Sequence, residues 1–306
     1  NSWDALIRAM TEKGYSKREI LDAGLAVESQ KGSIYDRFRG RIIFPIIDVR
    51  GNVIGFGGRV LDDSTPKYLN SPDTPIYNKS KNLFALNLAK RSKAGRLILT
   101  EGYMDTIALH QGGFDCAVAS LGTSLTEDHA RLISRYTKEV ILAYDGDAAG
   151  VNAAQRAIPI LDKTGLHVRV LQMRGAKDPD EFIRKFGREA FQRLLDGSEN
   201  QMEYRLEQLR SKFHLEDPAD RVAYRQEAAA MIGKLDSPVE REIYGGRAAE
   251  TAGIERDTML AEITSQRRKR RWKQKKQQQR KALQPAMEVQ PKEQQLRYQD
   301  VRSAKA

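Results

Sequence analysis

Between residues 94 and 186 apolar runs short enough to be strands alternate with stretches of helical periodicity, and this alternation constrains the fold more than any other feature. Strands are expected at about 96–100, 115–119, 139–144 and 167–172, and helices near 103–111, 126–136, 149–163 and 179–186. A βαβ series of this kind makes a mostly parallel sheet with helices on both faces, and hence an α/β fold. Two expected strands end in acid. Glu101 closes Leu97-Ile98-Leu99-Thr100, and Asp145-Gly146-Asp147 closes Val140 to Tyr144. The carboxyl ends of neighbouring parallel strands face one crevice, so these carboxylates are candidates for a divalent-cation cradle. Asp-x-Asp alone is more often a pair of solvated loop acids than a metal site; Glu101, just after another strand on the same edge, favours the metal. Asp178-Pro179-Asp180, after another expected strand, is a third acidic candidate, although Asp178 is also a good helix cap.

The segments around this core read differently. Residues 1–24 suggest two short helices, the second opened by Ser16 with Glu19 at capping-box spacing. From Arg41 the pattern becomes a hairpin, Ile42–Ile47 and Val53–Phe56 around the turn Asp48-Val49-Arg50-Gly51-Asn52. Helical starts at Thr126, Asp178-Pro179, Asp217-Pro218 and Ser237-Pro238 follow from cap chemistry, and Pro159 is expected to kink or shorten its helix. Residues 199–265 have the periodicity of a small helical bundle.

Charge narrows the classes of function. The net charge of +11 belongs to residues 266–306, which hold fourteen Lys/Arg against three Asp/Glu, so the preceding 265 residues are formally neutral. Arg267 to Lys281 has ten basic residues in fifteen and no apolar face, which reads as a disordered basic linker or as a nucleic-acid-binding arm. The single cysteine, Cys116, lies in an apolar stretch, reads as a buried strand residue, and leaves no intrachain disulfide and no Cys-rich zinc site. No apolar run is long enough to span a membrane and no leader is evident; a cytoplasmic protein is expected. No Walker-type P-loop occurs, which argues against an ATP-driven helicase.

Motif order makes the reading specific. Glu101-Gly102-Tyr103-Met104-Asp105, Ala119-Ser120-Leu121-Gly122-Thr123, Tyr144-Asp145-Gly146-Asp147-Ala148-Ala149-Gly150 and Lys177-Asp178-Pro179-Asp180 resemble the successive motifs of the TOPRIM domain in bacterial replicative (DnaG-type) primases. Upstream, Tyr35-Asp36-Arg37-Phe38, Phe44-Pro45-Ile46, Gly55-Phe56-Gly57-Gly58-Arg59 and Thr65 to Pro72 resemble the basic, template-facing half of the same core. The resemblance runs from about Trp3 to Ile263. It implies a Rossmann-like TOPRIM sheet (94–197), an α+β subdomain before it (1–93), a helical bundle after it (198–265) and the basic tail (266–306).

The resemblance also implies site roles. Glu101, Asp145 and Asp147 would be catalytic and hold Mg²⁺ or Mn²⁺, with Asp105, Asp178 and Asp180 completing the acidic centre. Arg41, Arg59, Lys67, Tyr68 and Asn70 would contact a single-stranded DNA template, and ribonucleoside triphosphates would be the substrates. Such primases carry a zinc-binding domain ahead of the core and a helicase-binding domain behind it. With no Cys/His ligand set here, zinc is expected only in a segment outside this chain; the domain for the replicative helicase is likewise expected to be absent or barely begun. Competing readings are a TOPRIM nuclease or topoisomerase using the same acids, an Asp-x-Asp phosphatase, and a non-catalytic nucleic-acid-binding module.

Overall fold

A computed structural model describes residues 2–283. Two compact units are formed, residues 1–208 and a second that begins at Leu209.

The first unit opens with α1 (Ala5–Glu12) and α2 (Lys17–Asp22), the latter started by the expected capping box: Ser16 Oγ accepts from Glu19 N at 3.2 Å and Glu19 Oε2 accepts from Ser16 N at 2.8 Å. The orphan N–H groups at the start of α1 are satisfied from a distance. Buried Asp36, on β2 (Ile34–Asp36), accepts from Leu6 N at 2.8 Å and Ile7 N at 3.0 Å, placing a carboxylate at the positive end of the helix. β2 pairs antiparallel with β1 (Ala26–Glu28).

A three-stranded antiparallel sheet follows, β3 (Arg41–Ile47), β4 (Val53–Val60) and β5 (Tyr68–Asn70). Its first turn is fixed by Asp48 Oδ1, which accepts from Arg50 N at 2.8 Å and Asn52 N at 2.9 Å, with Gly51 at a φ of 100°. After the short α3 (Leu86–Ala89) comes the main sheet: β6 (Arg96–Thr100), α4 (Tyr103–Gln111), β7 (Ala117–Ala119), α5 (Glu127–Ile133), β8 (Glu139–Leu142), α6 (Ala148–Asp162), β9 (His167–Val170), α7 (Pro179–Asp196) and β10 (Glu199–Asn200). The spatial order is β10-β9-β8-β6-β7, with β6 to β9 parallel and β10 an antiparallel edge. Consecutive strand residues point to opposite faces, yet Leu97, Ile98 and Leu99 are all almost fully buried, so both faces are covered. Pro159 lies inside α6 close to its end, and the helix stops within a turn of it. The break in α7 falls at Gly187, with φ of 78°, the point where the sequence pattern ended the helix.

α8 (Gln201–Arg210) leads into the second unit, which contains α9 (Pro218–Ile232), α10 (Pro238–Ala252) and α11 (Arg256–Leu283). Asp217 and Ser237 cap α9 and α10 as their Asp-Pro and Ser-Pro pairs predict. The expectation of a disordered segment from residue 266 is corrected as far as Leu283: α11 carries on through it. Arg, Lys and Gln all have high helix propensity, so a nucleus packed through Met259 and Ile263 propagates without an apolar face. The remainder of that segment, 284–306, lies outside the described residues.

Candidate active site

The chain moves from β6 to β7 on one side and then returns to β8 on the other, so the topological switch point lies between β6 and β8. Glu101 follows the end of β6 and Asp145 the end of β8, and they touch: Glu101 Oε1 accepts from Asp145 N at 3.3 Å. The loop carrying Asp145 is tied to the loop before α7 by Gly146 N donating to Lys177 O at 2.8 Å. A third tie runs from Asp180 N to Asp105 Oδ1 at 3.4 Å. Three separate chain segments thus bring Glu101, Asp105, Asp145 and the Asp178–Asp180 turn to one crevice.

The electrostatics record that crowding. Burial pushes Asp145 up to about 7, reinforced by repulsion from Glu101, Asp105, Asp178 and Asp147. Asp105 is pushed up to about 6 by burial and then by Asp178, partly offset by the Asp180 N–H. Glu101 is also raised by burial, and the Asp145 N–H opposes the shift. All the donors are hard carboxylate oxygens whose mutual repulsion a divalent cation would relieve, so the residue set fits Mg²⁺ or Mn²⁺ chemistry.

The six carboxylates are not equally placed. Asp147 is exposed, and its Oδ1 accepts from Gly150 N at 2.8 Å as the N-cap of α6. Asp178 caps α7 through Glu181 N at 2.7 Å, and Asp180 pairs with Arg184 at 3.1 Å. Among the described residues no three carboxylate, imidazole or thiol groups are close enough to close on one ion as they stand.

The basic candidates lie on the β3–β4–β5 sheet. Arg59 faces Tyr68 across β4 and β5, with its guanidinium 5.8 Å from the ring centroid, and Lys67 Nζ is also 5.8 Å from that ring. Arg41 Nη1 donates to Lys67 O at 3.4 Å. Tyr68 leads back to the acids: its ring packs edge-on against Tyr103 at 5.4 Å, and its hydroxyl is raised by burial first, with Asp105, Asp178 and Asp180 adding to the shift and Arg59 opposing it. Asn70 is anchored on one side of its amide. Its Nδ2 donates to Leu121 O at 3.0 Å, tying β5 to the loop after β7, where Gly122 at φ +74° leaves room for the amide.

Sequence reasoning did not single out two further features. Tyr103, the first residue of α4, is the hub of an aromatic cluster with Phe44, Tyr68 and Phe84 at 5.0, 5.4 and 5.6 Å. Burial pushes its hydroxyl up to about 12. Beside Glu101 a cavity of about 300 Å³ is lined by Ser120, Thr123, Ser124, Tyr144 and Arg156. Arg156 sits in the middle of α6 and reaches Glu101 only through the fold; the signal available in sequence was its position nine residues after Asp147.

Three family models match in order: the N-terminal domain of the DNA primase catalytic core over residues 1–90, a Toprim-like domain over 98–183, and the DnaB-helicase binding domain of primase over 202–257. The last match corrects the expectation that a helicase-binding segment would be absent or barely begun, since it covers residues read as the bundle of the core. The DNA primase of Clostridium acetobutylicum is 45% identical over 255 residues, 83% of this chain and 42% of that protein; that of Escherichia coli K12 is 39% identical over 267 residues, 85% and 46%. The chain thus spans less than half the length of these relatives. Among solved structures, the Escherichia coli primase catalytic core superposes with a TM-score of 0.70 at 39% identity, covering 83% of each chain. A DnaG primase catalytic domain bound to single-stranded DNA gives 0.71 at 37% identity, covering 84% of this chain and 82% of that one.

Proposed function

Because this chain belongs to the DnaG-type bacterial DNA primase family, we propose that it is the RNA-polymerising core of a primase, joining ribonucleotides into short primers on single-stranded DNA. The observation that carries the reading is the junction of Glu101 and Asp145 at the switch point of the sheet, with Tyr68, beside Arg59, within electrostatic reach of Asp105, Asp178 and Asp180. We divide the chain into a template-facing part (1–93), the TOPRIM part (94–197), a bundle (198–265) and the basic segment (266–306).

Glu101, Asp145 and Asp147 would hold Mg²⁺ or Mn²⁺, with Asp105, Asp178 and Asp180 completing the acidic centre. A cation held there would supply the positive charge that a triphosphate and its in-line displacement require. The chain's own residues orient the reactants. Arg41, Arg59 and Lys67 supply cations for template phosphates, and half-exposed Tyr68 offers a ring for base stacking. Asn70 holds the loop after β7 against the template-facing sheet. No side-chain nucleophile is called for, because the 3′-hydroxyl of one nucleotide attacks the triphosphate of the next. The match over 202–257 supports contact with a DnaB-type replicative helicase, and the setting is the cytoplasm.

The reading is tested by supplying all four ribonucleoside triphosphates, Mg²⁺ and single-stranded DNA, and analysing products before and after alkali. Short, template-dependent, alkali-labile chains are expected. Nicking of plasmid DNA without added nucleotides, and no such chains, would instead place the acids in a TOPRIM nuclease.

A further inference from the structure

The basic part of α11 is unabsorbed by this reading, since the family matches end at residue 257. Arg268, Lys269, Arg270, Arg271, Lys273, Lys275 and Lys276 are all exposed on a continuous helix, and among the described residues none has an ion pair. No Asp or Glu occurs between Ile263 and Leu283 to neutralise them. Like charge already acts within the helix: the Arg267 guanidinium is lowered by burial and by Arg241, Arg271 and Arg270. Trp272 stands among these cations with 63% of its surface exposed, and Lys276 Nζ is 5.0 Å from its ring. An exposed indole with a lysine against its ring, on a helix of exposed cations, is a stacking face bordered by groups that attract phosphate.

We propose that residues 268–276 of α11 form a second nucleic-acid contact that takes the phosphate backbone of single-stranded DNA, with Trp272 stacking on a base. The charge excludes the alternatives. A lipid surface calls for an apolar face opposite the basic one, and between Ile263 and Leu283 the helix offers only Trp272 and Ala282. An acidic protein partner is matched by interspersed charges and a shaped groove, whereas a run of cations with no acid among them suits an evenly charged strand.

The test compares the full chain with a variant carrying Gln at all seven positions, Gln being a comparable helix former, by anisotropy of a labelled thymidine oligonucleotide across a salt series. For every phosphate that is no longer neutralised, the log–log salt slope becomes shallower by about 0.7. The expected result is a slope shallower by about 2 or more, with affinity at low salt reduced about tenfold or more. Charge-retaining K269R/K273R/K275R/K276R should keep the parent slope, which separates charge from folding. In a Trp3→Phe background, oligonucleotide should quench Trp272. An unchanged slope and affinity in the seven-Gln variant would overturn the proposal, as would binding of the parent to phosphatidylserine vesicles as strong as its binding to DNA.

Discussion

A methyl group at position 150 would land on the carbonyl oxygen of Asp145, and backbone cannot yield as a flexible side chain does. Gly150→Ala should therefore cost about 1–3 kcal/mol of stability, measured by urea unfolding, and weaken Mg²⁺ binding by displacing the Asp145 loop. Parent-like stability would mean that the turn into α6 is looser than described. Asp145→Asn tests the opposite balance. It removes one of several crowded carboxylates, so the metal-free protein should melt at the parent temperature or above it, while the rise in Tm on adding Mg²⁺ shrinks. At this scale the sequence was informative about strand ends and poor about long-range partners. That Glu101 and Asp145 meet was legible because the carboxyl ends of neighbouring parallel strands face one crevice. What Asn70 holds within the fold was not legible, because the partner of its amide nitrogen, Leu121 O, lies 51 positions away and leaves no local trace.

Elements whose boundaries depend on local caps came out of the sequence well: Ser16, Thr126, Asp178, Asp217 and Ser237 all cap helices. Long-range pins did not. His129 completes the cap of α5 by accepting from Thr126 N at 3.2 Å through Nδ1, while Nε2 donates to Lys79 O at 2.9 Å and Asn82 O at 3.1 Å. Those partners define the neutral tautomer, and burial lowers the imidazole below its ordinary value. The unfolded chain therefore binds a proton more readily, so this contribution is complete above about pH 6.5 and is lost as pH falls below it. Unfolding free energy should decline from pH 7.5 to pH 5.5, both taken as about a unit either side of that value, and more shallowly in His129→Gln; parallel profiles would contradict the assignment. The basic run shows the converse failure. Absence of an apolar face suggested disorder, yet a helix already nucleated by packing extends through residues of high propensity.

For the whole molecule, the order of motifs carried more than any composition value. The basic excess lies entirely in residues 266–306, so net charge says nothing about the groove around Arg59 and Lys67. The cluster centred on Tyr103, which spans β3, β5 and α4, joins the two halves of the first unit together with the Asn70–Leu121 hydrogen bond. Tyr103→Ala should remove that hub, costing about 3 kcal/mol or more of stability and template-dependent synthesis together. Tyr103→Phe, which keeps the ring and removes a hydroxyl with no partner among the described residues, should retain both. If the carboxylates at the ends of β6 and β8 support nucleotidyl transfer, Mg²⁺-dependent ribonucleotide incorporation on single-stranded DNA should distinguish the parent from Glu101→Gln and Asp145→Asn at matched helical content. Template-dependent incorporation by the parent and a loss of about a hundredfold or more in each variant are expected; undiminished incorporation by both would rule these residues out.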